Sequence, residues 1–128
     1  MDKAARIKRF DSLVQDLTES YALLRELLAL LPIPMHIMAD QADDPILAIH
    51  ALACAAELAN HEPVSGPFLG HLRSMITEWL TAYELAVNAH RNGPAPWRLD
   101  GIEAALNRFA ASADYVASRL VWHQKGRP

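Results

Sequence analysis

His50, Cys54, Glu57 and His61 recur at spacings of four, three and four residues along a stretch that is otherwise almost entirely apolar. On a helix advancing 100° per residue their side chains fall within about 60° of one another, in a polar line about 16 Å long. One metal ion cannot reach all four. Adjacent pairs, His50 with Cys54 or Glu57 with His61, could each supply two ligands, with side chains of another helix completing a tetrahedral site. The same pattern also describes the water-facing edge of a helix buried on its other sides. A single cysteine among apolar neighbours is more often a small hydrophobe than a nucleophile. No metal is therefore assigned to the line, and no cofactor is implied.

A second line combines aromatic and basic residues. Arg108, Tyr115, Arg119 and Trp122 lie beside, rather than on, the apolar stripe of their segment, and Trp97 stands in a proline-rich stretch just before it. Tyr, Trp and Arg are the types enriched where proteins meet, so these residues are candidates for a partner or dimer surface, with packing inside the monomer as the alternative. At the chain's start Lys3, Arg6, Lys8 and Arg9 form a basic group that could meet an anion or an acidic partner. A solvated helix end explains it equally well, since the helix dipole disfavours cations there by only a few tenths of a kcal/mol each. The remaining histidines, His36, His71, His90 and His123, read as structural, with His71 on a polar face beside Ser74 and Glu78. No Glu-x-x-His, His-Glu-x-x-His, Gly-x-Ser-x-Gly or phosphate-binding Gly-Lys-Ser/Thr motif occurs.

Ala (22) and Leu (18) far outnumber Val, Ile and Thr (15 together), which favours helix over sheet in a chain of 128 residues, the length of one domain. Four helices are expected, over about 3–31, 45–61, 67–92 and 100–123, with a polar tail from about 124. In the first, Ile7, Phe10, Val14, Leu17, Tyr21, Leu24, Leu28 and Leu31 alternate at three and four, until Pro32 and Pro34 stop it. The second opens with Asp44 as cap and Pro45, and is apolar almost all round from Ile46 to Ala59, which predicts the most buried helix. The third has an inner stripe of Leu69, Leu72, Ile76, Leu80, Tyr83 and Val87, widened by Phe68, Met75, Trp79 and Ala86. The fourth opens with Asp100 and Glu103 at capping-box spacing, and its stripe is Ile102, Leu106, Phe109, Ala113, Val116 and Leu120. Short links at 62–66 and 93–99 imply antiparallel neighbours, so the simplest assembly is an all-α antiparallel four-helix bundle. Ile33, Met35, Ile37 and Met38 in the 32–44 connection are expected to fold over one end of it, or else to form an exposed docking surface.

The segment His50-Ala51-Leu52-Ala53-Cys54-Ala55 resembles, over about six residues, the phospho-accepting motif of histidine phosphotransfer domains, which are four-helix bundles of this size. The His and Leu are kept; the Lys that stabilises the phosphoryl group and the small Gly that admits the partner are not. The resemblance implies His50 as phospho-acceptor.

Net charge is −3, which argues against a whole-surface nucleic-acid binder. The longest stretch free of Asp, Glu, Lys and Arg, residues 27–39, is too short to cross a bilayer. Acidic residues at 11, 16 and 19 spoil a signal peptide, so a cytoplasmic chain is expected. The helices differ in length, and the shorter second one cannot cover the apolar stripe of the first. These features together point to a non-enzymatic helical interaction or regulatory module, a homodimer or the binder of another protein. The competing reading is a metal- or small-ligand-binding bundle.

Overall fold

Three acidic or hydroxyl side chains start three of the helices. Asp2 accepts the Ala5 N–H at 2.7 Å and opens α1 (Lys3–Ala29). Asp44 accepts the Ile46 and Leu47 N–H groups at 3.0 and 3.3 Å and opens α2 (Pro45–Ala59). Ser65 accepts the Phe68 N–H at 3.3 Å and opens α3 (Gly66–Asn92). Each satisfies an amide that the first turn leaves without a carbonyl. The fourth helix, α4 (Pro96–Lys125), begins instead on the Ala95 carbonyl, which accepts from Arg98 and Leu99. The computed structural model describes residues 2–38 and 44–125, leaving aside the side chains of residue 45 and residues 121–125, and among the described residues there is no strand. The chain is an all-α four-helix bundle, as its composition predicts.

Several helix ends differ from the sequence expectation. Residues 30 and 31 leave α1 in a tighter turn, Leu30 and Leu31 donating to Leu27 and Leu28. Asn60, His61 and Glu62 close α2 in the same manner on Glu57, Leu58 and Ala59. Asp100 and Glu103 do not cap α4, because Pro96, with φ pre-set, starts the helix four residues earlier. They lie inside it and bind Arg9 across the bundle, at 2.9 and 2.7 Å. These bonds, Glu103 first, raise the Arg9 pKa. Trp97 accordingly sits in the first turn of α4 rather than in a loop. The end of α3 is closed by Gly93, whose φ of +101° suits a residue without Cβ. Arg98 donates to the Asn92 and Gly93 carbonyls there.

α3 is the hub. It packs against α1, α2 and α4, and the α3–α4 contact is the most extensive. α3 and α4 run antiparallel: Gly101 faces Leu85, Arg108 meets Glu78, and His71 stacks on Tyr115. A Cβ on Gly101 would stand 3.3 Å from Leu85 Cδ1, so the glycine lets the two helices close up. α1 runs alongside α4 in the same direction, since Arg9 meets residues 100 and 103 while residues 13–23 border a groove shared with residues 103–107. The connection from α1 to α2 makes this possible by turning back along α1. Arg25 Nε donates to the Ile37 carbonyl at 2.7 Å and the Tyr21 hydroxyl to the Met38 carbonyl at 3.0 Å.

The core confirms some faces and rotates others. Ile102, Leu106, Phe109, Ala113, Val116 and Leu120 of α4 are all buried. In α1 the inner face is Leu13, Leu17, Tyr21, Leu24, Leu27, Leu28 and Leu31, whereas Ile7 and Val14 are exposed. In α3 the inner face is Phe68, Leu72, Met75, Ile76, Trp79, Ala82, Ala86 and Ala89; Leu69, Leu80 and Tyr83 are only partly buried. The rotation follows from α3 having neighbours on three sides. α2 is not the most buried helix. Its one helix neighbour among the described residues is α3, on which it buries Ala48, Leu52, Ala55 and Ala59. Ile46, Leu47 and Leu58 remain exposed. The connection splits likewise: Met35 is buried and Ile37 partly so, while Ile33 and Met38 are exposed.

Candidate functional site

The polar line of α2 lies where helical spacing puts it, on the side turned away from α3. His50, Cys54, Glu57 and His61 are all exposed. Cys54 Sγ lies 3.9 Å from His50 Nε2, one turn away. Among the described residues no three His, Cys, Asp or Glu side chains are close enough together to hold a metal ion. Among the described residues the second ligand pair that a tetrahedral site would need is not brought to this face. As α2 is an outer helix, no opposite helix among the described residues faces the line.

Away from α3, α2 borders the connection rather than another helix. Residues 33–37 of the connection run beside α2 and leave a groove of about 370 Å³, into which Cys54 and His61 open from one side and His36 from the other. Glu62 completes the lining. This residue was not singled out by spacing, yet it is the one buried carboxylate in the described core, 7% exposed. Its Oε2 accepts the Ile33 N–H at 2.9 Å and so ties the connection to the end of α2. Its Oε1 is enclosed and has no hydrogen-bond partner among the described residues. The only hint in the sequence was an acid directly before Pro63, at the end of an apolar helix.

The aromatic–basic line of α4 is divided. Arg108 Nε donates to Glu78 Oε2 at 3.0 Å, and the half-buried Tyr115 ring stacks on His71 with centroids 4.0 Å apart. His71, Ser74 and Glu78 are therefore half-buried toward α4 rather than on a free polar face. The exposed Arg119 lies over the outer side of Tyr115, 5.1 Å from the ring centroid. The Trp122 side chain falls outside the described residues, as does that of His123. Trp97 is 65% exposed and carries the Arg98 guanidinium over its ring at 4.5 Å. Of the basic group, Arg9 is bound to α4, Lys3 and Lys8 are exposed, and Arg6 is half-buried with Nε unpartnered.

Comparison with protein-family models, curated proteins and solved structures finds no match for this chain. No helix among the described residues is long and apolar enough to cross a membrane.

His50 gives a direct check on the polar line. Exposed substitutions away from special features change stability within about 0.5 kcal/mol. His50→Ala is expected to stay inside that limit in urea unfolding, with no change on adding zinc or chelator. A loss of several kcal/mol, or a chelator-sensitive midpoint, would show that the line holds a ligand.

Proposed function

We propose that this chain is a non-enzymatic helical interaction module that self-associates, as a homodimer, through the outer face of α2. The observation that carries the reading is the imbalance of that helix. α2 has one helix neighbour, and Ile46, Leu47 and Leu58 stand 79%, 49% and 56% exposed on it. Ile33, on the adjoining connection, is 54% exposed. Single exposed apolar residues are ordinary, but here Ile46 and Leu47 stand at one end of the polar line and Leu58 and Ile33 at the other, more apolar exposure than one outer helix usually leaves without a partner. A two-fold pairing is the commonest way to cover it, because each copy presents the same face to the other. The reading uses α2 in place of the α4 line, where Arg108 and Tyr115 already have partners within the chain.

Light scattering after size exclusion tests it. At micromolar concentration and with a reductant present, so that a Cys54 disulfide is not counted, the expected mass is twice 14.2 kDa. Leu58→Glu, which places a charge in the patch without touching the core, is expected to return the mass to 14.2 kDa with an unchanged helical signal. A wild-type mass of 14.2 kDa at every concentration would overturn self-association.

A further inference from the structure

The groove between α2 and the returning connection has a chemistry of its own. Its walls are apolar, from Ile33, Met35 and Ile37 on one side and Ala51, Ala55 and Leu58 on the other. Its volume, about 370 Å³, is at the lower end of the range for small-molecule sites. In this apolar setting Glu62 Oε1 is buried without a donor. A buried acceptor left unmade is costly, so native structures nearly always supply one. Among the described residues none is offered here. His36 and His61 line the groove, and neither bonds to Oε1. No Lys or Arg occurs between Arg25 and Arg73. Arg25 has its Nε on the Ile37 carbonyl. Glu57, one helical turn before His61, is also acidic and exposed. The missing group is thus a donor, the local charge is negative, and the walls call for hydrocarbon.

We propose that this groove binds a small monocationic amine with an apolar body, its ammonium donating to Glu62 Oε1 and its hydrocarbon lying against Met35, Ile37 and Leu58. Oε1 is closed to solvent as the chain stands, so the ammonium reaches it by displacing the exposed Ile33–Pro34 segment, which is tied to Glu62 through the Ile33 N–H bond. The site does not depend on self-association, although both use Leu58 and Ile33.

Cys54 supplies the readout. It is the chain's one cysteine, it is exposed, and it lines the groove, so a bound molecule shields it from an aromatic disulfide reagent. Hexylammonium, hexanol and hexanoate share one apolar body and differ in the head group. At fixed ionic strength hexylammonium is expected to slow Cys54 modification at concentrations about tenfold below hexanol, as a charge-assisted bond would give. Hexanoate is expected to give no protection. In Glu62→Gln, which keeps an acceptor for Ile33, hexylammonium and hexanol are expected to become equal. Equal protection by the two in the wild-type chain, protection by neither, or an undiminished preference in Glu62→Gln would overturn the site. If Glu62→Gln fails to fold, the three-probe comparison on the wild-type chain decides alone. Light scattering on the same samples keeps the two proposals apart: a preference for hexylammonium supports the site whether the chain is monomeric or dimeric. Protection that instead rises with protein concentration and ignores the probe's head group marks a second copy in the groove and overturns the amine site.

Discussion

Trp79→Ala is expected to lower unfolding stability by about 3–5 kcal/mol, the range for truncating a large buried aromatic residue. Trp79 is 1% exposed in the middle of α3, the helix that contacts the other three. Its ring lies 4.9 Å from Tyr21 of α1 and 5.1 Å from Tyr83, centroid to centroid. Its Nε1 donates to the Leu17 carbonyl at 3.1 Å, joining α3 to α1 by a bond as well as by packing. Alanine removes all of these and leaves a cavity between two helices. Trp79→Phe keeps an aromatic ring and is expected to cost much less, about 1 kcal/mol for the lost hydrogen bond plus a small void, because the Leu17 carbonyl keeps its place in the α1 ladder. Urea unfolding of both variants checks the pair. A loss below about 1 kcal/mol for Trp79→Ala would mean that the ring is not at the centre of the core.

Leu24→Ala is expected to cost about 2–5 kcal/mol, and Leu80→Ala distinctly less. Leu24 is 0% exposed where α1 meets the core, so its methyl groups leave a void that fixed neighbours cannot fill. Leu80 sits one residue beyond Trp79, turned about 100° away and only partly buried. Removing it re-exposes a site that already touches water. Equal losses at the two positions would show that the inner face of α3 is centred on Leu80, as its heptad pattern alone suggests.

The contrast between these two leucines shows why the helices were easier to read than their faces. Helix existence depends on local composition and on caps such as Asp44 with Pro45, which act within one turn. The face that turns inward depends on how many neighbours a helix has. α4 packs chiefly on α3, so its stripe was legible. α3 is packed on three sides, so the residues expected to widen its stripe, Phe68, Met75, Trp79 and Ala86, are buried, while Leu69, Leu80 and Tyr83 of the stripe itself are only partly buried. α2 showed the opposite error: nearly continuous apolar sequence suggested full burial, but an outer position leaves half of it exposed. Asp100 and Glu103 had capping-box spacing, yet Pro96 started the helix earlier and freed both carboxylates for Arg9, far away in sequence.

By itself the sequence determined the all-α class, four helices with their approximate limits, and the α2 line of His50, Cys54, Glu57 and His61 on one side. All of these follow from propensity and period, which act over a few residues. Only the tertiary structure decided that the connection, rather than another helix, borders Cys54 and His61 of that line. It also decided that Arg108 and Tyr115 are taken up by α3, and that Glu62 is buried. The Glu62 bond to Ile33 spans 29 positions. No local pattern encodes it, because the cost of burying that carboxylate arises only once the chain has folded back on itself.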